Sequence, residues 1–352
     1  MTGSWTPICC RILLPALLLG GCDTTPNGLA TTTTSRSLSL YGPGVQPTSG
    51  PDQQGGLQQV SFSVEGVCTD PCLDPRGRTI AFASNQHGPN YDIYVRPTTG
   101  TSLTRITSDP GEDVMPAFSP DGLRITFASN RAGQYDIYVV DLDGGHPVRM
   151  TNDLADEYHP TWSADGRYIA WSRTNPTTKR NELWAVDLQQ PARAMFIEYG
   201  TMPEWSPDPT ESTLVFQRAR QRGSRLYGLW TIELKDGQPG RPTEIVSAAN
   251  AATINPTWSP DGSAIAFSTV TITRGMPQED TLDLWTVQRD GTRLQHVTRD
   301  AGDEYLPSWA ADGRLYFVSE RTGAANIWSV SVETPTTTEA SPRFADAAPD
   351  DP

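Results

Sequence analysis

The sequence predicts an all-β protein built from six repeated units, each of four antiparallel strands. Three observations predict this fold: a turn motif that recurs in phase, aromatic residues at fixed offsets from it, and a composition rich in turn formers. Glycine and proline number 30 each among 352 residues, which favours many turns over long helices. A repeat period of about 40–45 residues is typical of the four-stranded blades of a β-propeller.

The turn motif occurs six times, and its fullest form is an aromatic residue followed by Ser-Pro-Asp-Gly, as at residues 118–122 and 258–262. Successive copies lie 43 to 53 residues apart, and a proline precedes every aromatic position by two residues. Asp-Gly supplies the positive φ that a tight hairpin turn requires, and the motif's proline fixes φ at the first corner. The aromatic position is occupied by Leu73, Phe118, Trp162, Trp205, Trp258 and Trp309.

Two more aromatic columns follow each copy of the turn motif. One ends an alternating strand such as Arg124-Ile125-Thr126-Phe127, and the other lies in elements such as Asp136-Ile137-Tyr138. Every tryptophan except Trp5 falls on one of the three columns. We therefore interpret the tryptophans as packing between adjacent sheets and not as ligand-binding residues.

The sixth unit lacks a fourth strand before the chain enters a Thr-rich tail. Residues 57–61 (Leu-Gln-Gln-Val-Ser) resemble residues 294–298 (Leu-Gln-His-Val-Thr), the fourth strand of the fifth unit. We predict that this N-terminal segment supplies the outer strand of the sixth unit. Such pairing would close the ring and remove an open sheet edge.

The two ends of the chain differ in character from the repeats. The apolar run 12–19 has about half the length of a bilayer-spanning helix, so residues 1–21 are predicted to be a signal peptide. The sequence Leu-Gly-Gly-Cys that follows resembles a bacterial lipobox, which implies lipidation of Cys22; a plain secretory signal with an incidental cysteine is the alternative. Residues 22–55 are predicted to be a flexible tether, 56–334 the propeller, and 335–352 a disordered acidic tail.

The repeated Pro-x-Trp-Ser-Pro-Asp-Gly with a later Asp-Ile-Tyr resembles the TolB-type propeller family, whose motif is WD-repeat-like. The resemblance covers about residues 56–332 and implies a six-bladed propeller in the bacterial cell envelope. TolB proteins carry an α/β domain before the propeller, which we do not expect here. Related propellers also accompany the hydrolase domains of dipeptidyl-peptidase-like enzymes, but the sequence contains no Gly-x-Ser-x-Gly elbow.

Charged loops provide the candidate binding residues. Acidic residues cluster where one unit's fourth strand leads to the next unit's innermost strand, so we expect them at the channel mouth, with arginines from neighbouring loops. They would form a rim that binds a partner or a cation; alternatively, arginines and acids pair across neighbouring blades, which the equivalent positions of Arg131 and Arg321 favour. The insertion 270–281 is a second candidate. The rim candidates are Glu112, Asp113, Asp156, Glu157, Tyr158, Arg218, Arg220, Arg222, Arg225, Asp303, Glu304 and Tyr305.

Few residues suggest a metal centre, a cofactor or a catalytic group. No histidine pair has ligand spacing, so no metal site is assigned, although carboxylates that converge on a channel could hold calcium. Cys68 and Cys72 lie four residues apart and form either a disulfide or two free thiols. The net charge of −14 argues against nucleic-acid binding and favours a soluble monomer.

The sequence therefore predicts a membrane-anchored propeller of the cell envelope. We expect it to be non-enzymatic and to bind an envelope protein or peptide through its loop-bearing face, facing the periplasm or the cell surface. The alternative is a propeller that binds a small ligand or cation, or a hydrolase or lyase that uses the central channel.

Overall fold

The computed structural model describes residues 56–63, 66–191, 193–221, 226–235, 237–248, 251–271, 282–298 and 302–332. Within these ranges the chain forms 25 β-strands, β1 to β25, and no helix, hence none that is long and apolar enough to cross a membrane. The strands assemble into six antiparallel sheets. The innermost strand of each sheet contacts that of the next, and β23 contacts β2, so the ring is closed. The predicted six-bladed propeller is confirmed.

The first three blades follow one plan, in which strands a to d run from the channel outwards. Blade 1 contains β2 (Cys68–Leu73), β3 (Thr79–Ser84), β4 (Asp92–Pro97) and β5 (Thr104–Arg105). Blade 2 contains β6 (Asp113–Phe118), β7 (Arg124–Ser129), β8 (Asp136–Asp141) and β9 (Val148–Arg149). Blade 3 contains β10 (Glu157–Trp162), β11 (Tyr168–Thr174), β12 (Asn181–Asp187) and β13 (Ala194–Tyr199).

The other three blades keep this plan with two variations. Blade 4 contains β14 (Thr201–Trp205), β15 (Thr213–Ala219), β16 (Tyr227–Lys235), a short extra strand β17 (Gln238–Pro239) and β18 (Thr243–Val246). Blade 5 contains β19 (Ala251–Trp258), β20 (Ala264–Thr271), β21 (Leu282–Gln288) and β22 (Gln295–His296). Blade 6 contains β23 (Glu304–Trp309), β24 (Arg314–Ser319), β25 (Asn326–Ser331) and, as its outer strand, β1 (Gln58–Gln59).

The N-terminal segment closes the ring in the predicted register. Gln58 pairs with Ser329 of β25. The hydroxyl of Ser61 accepts a hydrogen bond from Ile327 N at 2.8 Å, just as Thr298 Oγ1 accepts one from Leu284 N at 3.0 Å in blade 5. Ser61 therefore takes the place of the repeated threonine, which confirms the closure.

The aromatic columns form the core between blades, as predicted. The phenylalanines of strand b are completely buried in five blades, at Phe82, Phe127, Phe216, Phe267 and Phe317. The tryptophans pack beside them: six are less than 9% exposed and three are half-buried. Burying side chains of this size stabilises the fold by about 1.5–3 kcal/mol each. The core is therefore a series of aromatic layers between neighbouring sheets.

Each innermost strand also contains a bulge that the sequence did not predict. The register between strands a and b shifts in every blade, for example between Val114 and Ala117. The residue before the repeated proline has a φ of 52° to 56°, although it is never glycine. This backbone conformation costs about 1 kcal/mol or more per residue and redirects a side chain. The six residues are Asp70, Met115, His159, Met202, Asn255 and Leu306.

Candidate functional site

The two faces of the ring carry different connections. Every strand a starts at a loop from the previous blade and ends at a tight turn, so one face bears the d-to-a and b-to-c loops. We call this the loop-bearing face, and we call the opposite side, with the Asp-Gly turns, the turn face. The rim candidates belong to the loop-bearing face.

Two of the predicted acids are structural and not exposed. Asp113 is fully buried, and Arg131 Nη2 donates to both of its carboxylate oxygens at 2.8 Å. Glu304 is also fully buried and accepts a hydrogen bond from Arg321 Nη2 at 2.8 Å. Both pairs lie within one blade, and not across neighbouring blades as the alternative interpretation supposed.

The arginines of these pairs also cover the aromatic column of strand c. The Arg131 guanidinium lies 4.8 Å from the ring centre of Tyr138, and that of Arg321 lies 4.9 Å from the ring centre of Trp328. Such cation–π contacts add about 0.5–2 kcal/mol where water is excluded. These two arginines therefore belong to the framework of the blades.

Glu157 occupies the equivalent position in blade 3 but has no ion pair among the described residues. Its side chain is buried, and Oε1 accepts a hydrogen bond from Trp171 Nε1 at 2.9 Å. Burial raises the pKa of Glu157 to about 7, although hydrogen bonds from Thr151 and Trp171 act in the opposite direction. The carboxylate form of this group therefore destabilises the folded state.

Replacing Glu157 with glutamine is expected to stabilise the protein at pH 8. The folded-state pKa of about 7 lies above the ordinary value of 4.5, so the wild-type protein loses stability as the pH rises between these two values. Above pH 7 the loss amounts to on the order of 3 kcal/mol. Urea unfolding at pH 5 and pH 8 should show Glu157→Gln gaining stability only at the higher pH.

Asp113→Asn is the control for this prediction, because it removes a fully buried carboxylate that has a bidentate arginine partner. At pH 8 it should destabilise the protein, since the ion pair with Arg131 is lost. If Glu157→Gln were equally destabilising at pH 8, the uncompensated charge assigned to Glu157 would be refuted.

The arginine candidates in blade 4 are also engaged within the chain. The Arg218 guanidinium lies 5.1 Å from the ring centre of Trp230 and 3.7 Å from Glu198 of blade 3, an ion pair across neighbouring blades. Arg220 Nη1 donates to the backbone oxygen of Ala248 at 3.0 Å. Four predicted features lie outside the described residues: Arg222, Arg225, Cys22 and residues 272–281 of the insertion.

Three other acidic candidates perform one repeated task. Each accepts a hydrogen bond from the backbone N–H just before or at the start of strand c of the preceding blade, and thereby fixes the b-to-c loop. The bonds are Tyr91 N to Glu112 at 2.7 Å, Tyr135 N to Asp156 at 3.1 Å, and Leu282 N to Asp303 at 3.1 Å. Asp156 is nevertheless exposed to solvent.

Among the described residues, the most exposed large apolar side chain of this face was not a sequence candidate. Leu154, in the loop between blades 2 and 3, is 87% exposed. The same stretch ends in Tyr158, whose ring lies 4.9 Å from that of Tyr135. The other tyrosine candidate, Tyr305, donates a hydrogen bond to Glu320 at 3.2 Å. A leucine outside the repeated columns gave no periodic pattern by which it could have been found.

Both cysteines are free thiols in the structure. They lie on the same strand, β2, where Cys68 is opposite Ser84 and Cys72 is opposite Ala81. Four residues of extended strand span about 10 Å or more, whereas a disulfide requires Cα atoms within about 7 Å. Of the two alternatives for this pair, the structure therefore contains the free thiols.

The propeller axis contains a cavity of about 520 Å³. It is lined by the second halves of all six innermost strands, including the six positive-φ residues, and by the Asp-Gly turns. None of the described rim candidates lines it. The acids expected at the channel mouth therefore lie nearer the loop-bearing face, while the cavity belongs to the turn face. Among the described residues, no group of three or more His, Cys, Asp or Glu could hold a metal ion.

Residues 52–238, more than half of the chain, match the family model of the TolB beta propeller domain. The chain belongs to this family. A TolB homolog of Chlorobium luteolum is 38% identical over 71 residues, which are 19% of this chain and 15% of that protein. The chain therefore matches only a small part of this relative.

Solved structures share the fold of this TolB-type propeller at low sequence identity. A TolB-type protein from Agrobacterium tumefaciens has a TM-score of 0.59 and 16% identity, with 79% of this chain and 97% of that chain covered. An oligogalacturonate lyase from Vibrio parahaemolyticus has a TM-score of 0.54 and 15% identity, with 79% and 93% covered. These similarities establish the fold alone, because one scaffold carries unrelated functions.

Proposed function

We propose that this protein is a non-enzymatic interaction module of the bacterial cell envelope, anchored by a lipid on Cys22, which binds a partner protein through the loop-bearing face. The observation that carries the proposal is Leu154, an 87% exposed leucine beside the exposed carboxylate of Asp156. Protein interfaces combine an apolar centre with a polar rim, and an exposed leucine with a neighbouring carboxylate provides one group of each kind. The partner should therefore present an apolar pocket flanked by Lys or Arg.

Membership of the TolB propeller family supports this proposal, and so does the state of the buried acids. Asp113 and Glu304 are tied to arginines, so they serve the framework and are not offered to a substrate. The loops between blades vary while the blades repeat, and binding residues of repeat proteins concentrate in such loops. The envelope location is supported by the lipobox-like Leu-Gly-Gly-Cys22.

Photocrosslinking in living cells tests the proposal. A photoreactive amino acid placed at position 154 of the full-length chain should give a discrete crosslinked product with one envelope protein. Leu123 provides a matched control, because it is 66% exposed but lies in an Asp-Gly turn on the turn face. The same product should be at least tenfold weaker from position 123.

The variant Leu154→Asp should reduce copurification of that crosslinked protein at least tenfold, since an apolar contact is replaced by a charge. Leu123→Asp should leave copurification unchanged. Equal crosslinking from both positions, or full retention of the partner by Leu154→Asp, would place the interaction elsewhere and refute the assignment of the loop-bearing face.

A further inference from the structure

The axial cavity opens on the turn face and is independent of the proposed partner surface. Its outer end is bordered by the exposed prolines Pro75, Pro207, Pro209 and Pro260, and its inner end by the positive-φ residues of the six strands. A volume of about 520 Å³ falls within the range of about 300–1,000 Å³ that is typical of small-molecule sites. The cavity is therefore large enough for one small organic molecule.

The acidic side chains of this cavity have no basic partner among the residues that line it. The cavity is lined by Asp70 of blade 1 and by Glu204 of blade 4, which lie on opposite sides of the ring. Asp74 also lines it. No lysine or arginine is among the lining residues that the structure describes. A protein with a net charge of −14 adds to this negative potential, which low-dielectric walls concentrate.

The two inner carboxyls have few hydrogen-bond donors among the described residues. Asp70 accepts one long hydrogen bond, from Met115 N at 3.4 Å. Glu204 Oε1 accepts hydrogen bonds from Thr257 Oγ1 and Trp258 N, both at 3.0 Å. Burial raises the pKa of each carboxyl to about 7. A cation bound here would supply the missing counter-charge.

His159 carries no positive charge that could neutralise the carboxylates, but its imidazole adds a hydrogen-bonding group to the cavity wall. Both ring nitrogens are buried, and neither has a hydrogen-bond partner among the described residues, although the residue lines the cavity. Burial lowers its pKa to about 3, so the imidazole is neutral. A neutral imidazole offers one donor and one acceptor. An unpaired buried group of this kind is destabilising unless a ligand or water satisfies it.

The residues that line the cavity favour an organic cation over a metal ion. The wall also contains at least one proline from every blade and the aromatic residues of the first column, Phe118, Trp162, Trp205, Trp258 and Trp309. A divalent ion such as calcium requires about six to eight oxygen ligands. Aromatic and proline surfaces instead accommodate the apolar body of an organic ligand.

We propose that the axial cavity binds a small organic ammonium ion, whose charge is attracted by the carboxylates of Asp70 and Glu204 in the cavity wall and whose apolar body lies against the prolines. The neutral imidazole of His159 completes the polar end. This binding activity is additional to partner recognition on the loop-bearing face and does not depend on it.

Isothermal titration at pH 8, above the pKa of about 7 of both carboxyls, tests this inference with four probes on the full-length chain. 2-Phenylethylamine and benzyltrimethylammonium carry the charge, whereas 2-phenylethanol is a neutral analogue and 3-phenylpropanoate an anionic analogue of the same body. The amine should bind at least tenfold more tightly than the alcohol, and the carboxylate should not bind measurably. Equal affinity for amine and alcohol, or no binding of either cation, would overturn the proposal.

Two variants that keep nearly the same side-chain shape test whether these carboxylates attract the ammonium group. Asp70→Asn and Glu204→Gln should each weaken amine binding about tenfold while leaving the affinity for the alcohol unchanged. Asp156→Asn, which removes a carboxylate on the other face, should have no effect. Circular dichroism would verify that each variant is folded. Retained amine affinity in both cavity variants, or tight calcium binding that displaces the amine, would contradict the assignment.

The partner experiment separates this inference from the proposed function. Crosslinking through position 154 does not involve the cavity, so it should persist in Glu204→Gln. A failure of amine binding would therefore leave partner recognition standing, and a failure to crosslink any protein through position 154 would leave the cavity proposal standing.

Discussion

Deleting residues 56–63 is expected to lower the melting temperature by about 10 °C or more. These residues supply the outer strand β1 of blade 6 and place Val60 in one buried hydrophobic cluster with Leu73 and Ile80 of blade 1. Without them, Asn326 Oδ1 loses its hydrogen bonds from Ser61 Oγ and Ser63 N, at 2.9 and 2.8 Å. Each buried polar group left unsatisfied costs about 1–3 kcal/mol, and the apolar burial is lost in addition.

Differential scanning calorimetry of two shortened chains would measure this effect. The control deletes residues 23–55, which precede the closing segment, and should melt within about 2 °C of the full-length protein. An unchanged transition after deletion of 56–63 would mean that the ring does not depend on this strand. The deleted chain should also aggregate more readily, because β25 becomes an unpaired edge.

Arg131→Ala should destabilise the protein by about 3–5 kcal/mol, the largest effect expected for a single substitution on the loop-bearing face. The substitution leaves the fully buried carboxylate of Asp113 without its bidentate partner and uncovers the ring of Tyr138. Lys235→Ala is the control, because its ion pair with Glu233 is exposed and should contribute less than about 1 kcal/mol. Urea unfolding measures both.

A double-mutant cycle separates the ion pair from the packing of Arg131. If the charge on Asp113 causes most of the loss, Arg131→Ala combined with Asp113→Ala should be less destabilising than the sum of the two single changes. Additive effects would instead assign the loss to the contacts of the guanidinium with Tyr138 and Phe127.

The repeat made most of the fold predictable from the sequence. Strand boundaries follow from turn chemistry: Gly122 has a φ of 73°, and Ser119 and Asp121 hydrogen-bond within the turn, as the Ser-Pro-Asp-Gly motif requires. Ring closure was predictable because Ser61 preserves the hydrogen-bonding hydroxyl of Thr298. These features depend on contacts that recur at one spacing, so six copies reinforce one another.

The candidate sites were less predictable, because they depend on where a side chain points once blades are packed. Asp113, Glu157 and Glu304 lie where a charged rim was expected, yet each is turned into the interior of its own blade. Leu154 has no counterpart in the repeat and was overlooked, although it is the more accessible group. Residue type and spacing do not distinguish a buried acid from an exposed one when both begin a strand.

By itself, the sequence determined the number of blades, their turns and the strand that closes the ring, because these follow from local backbone chemistry repeated along the chain. Only the tertiary structure decided that the axial cavity opens on the turn face and that Asp70, His159 and Glu204 line it. The reason is the bulge before each proline: its positive φ exists only where strand a pairs with strand b inside the assembled ring, and it determines which side chains face the axis.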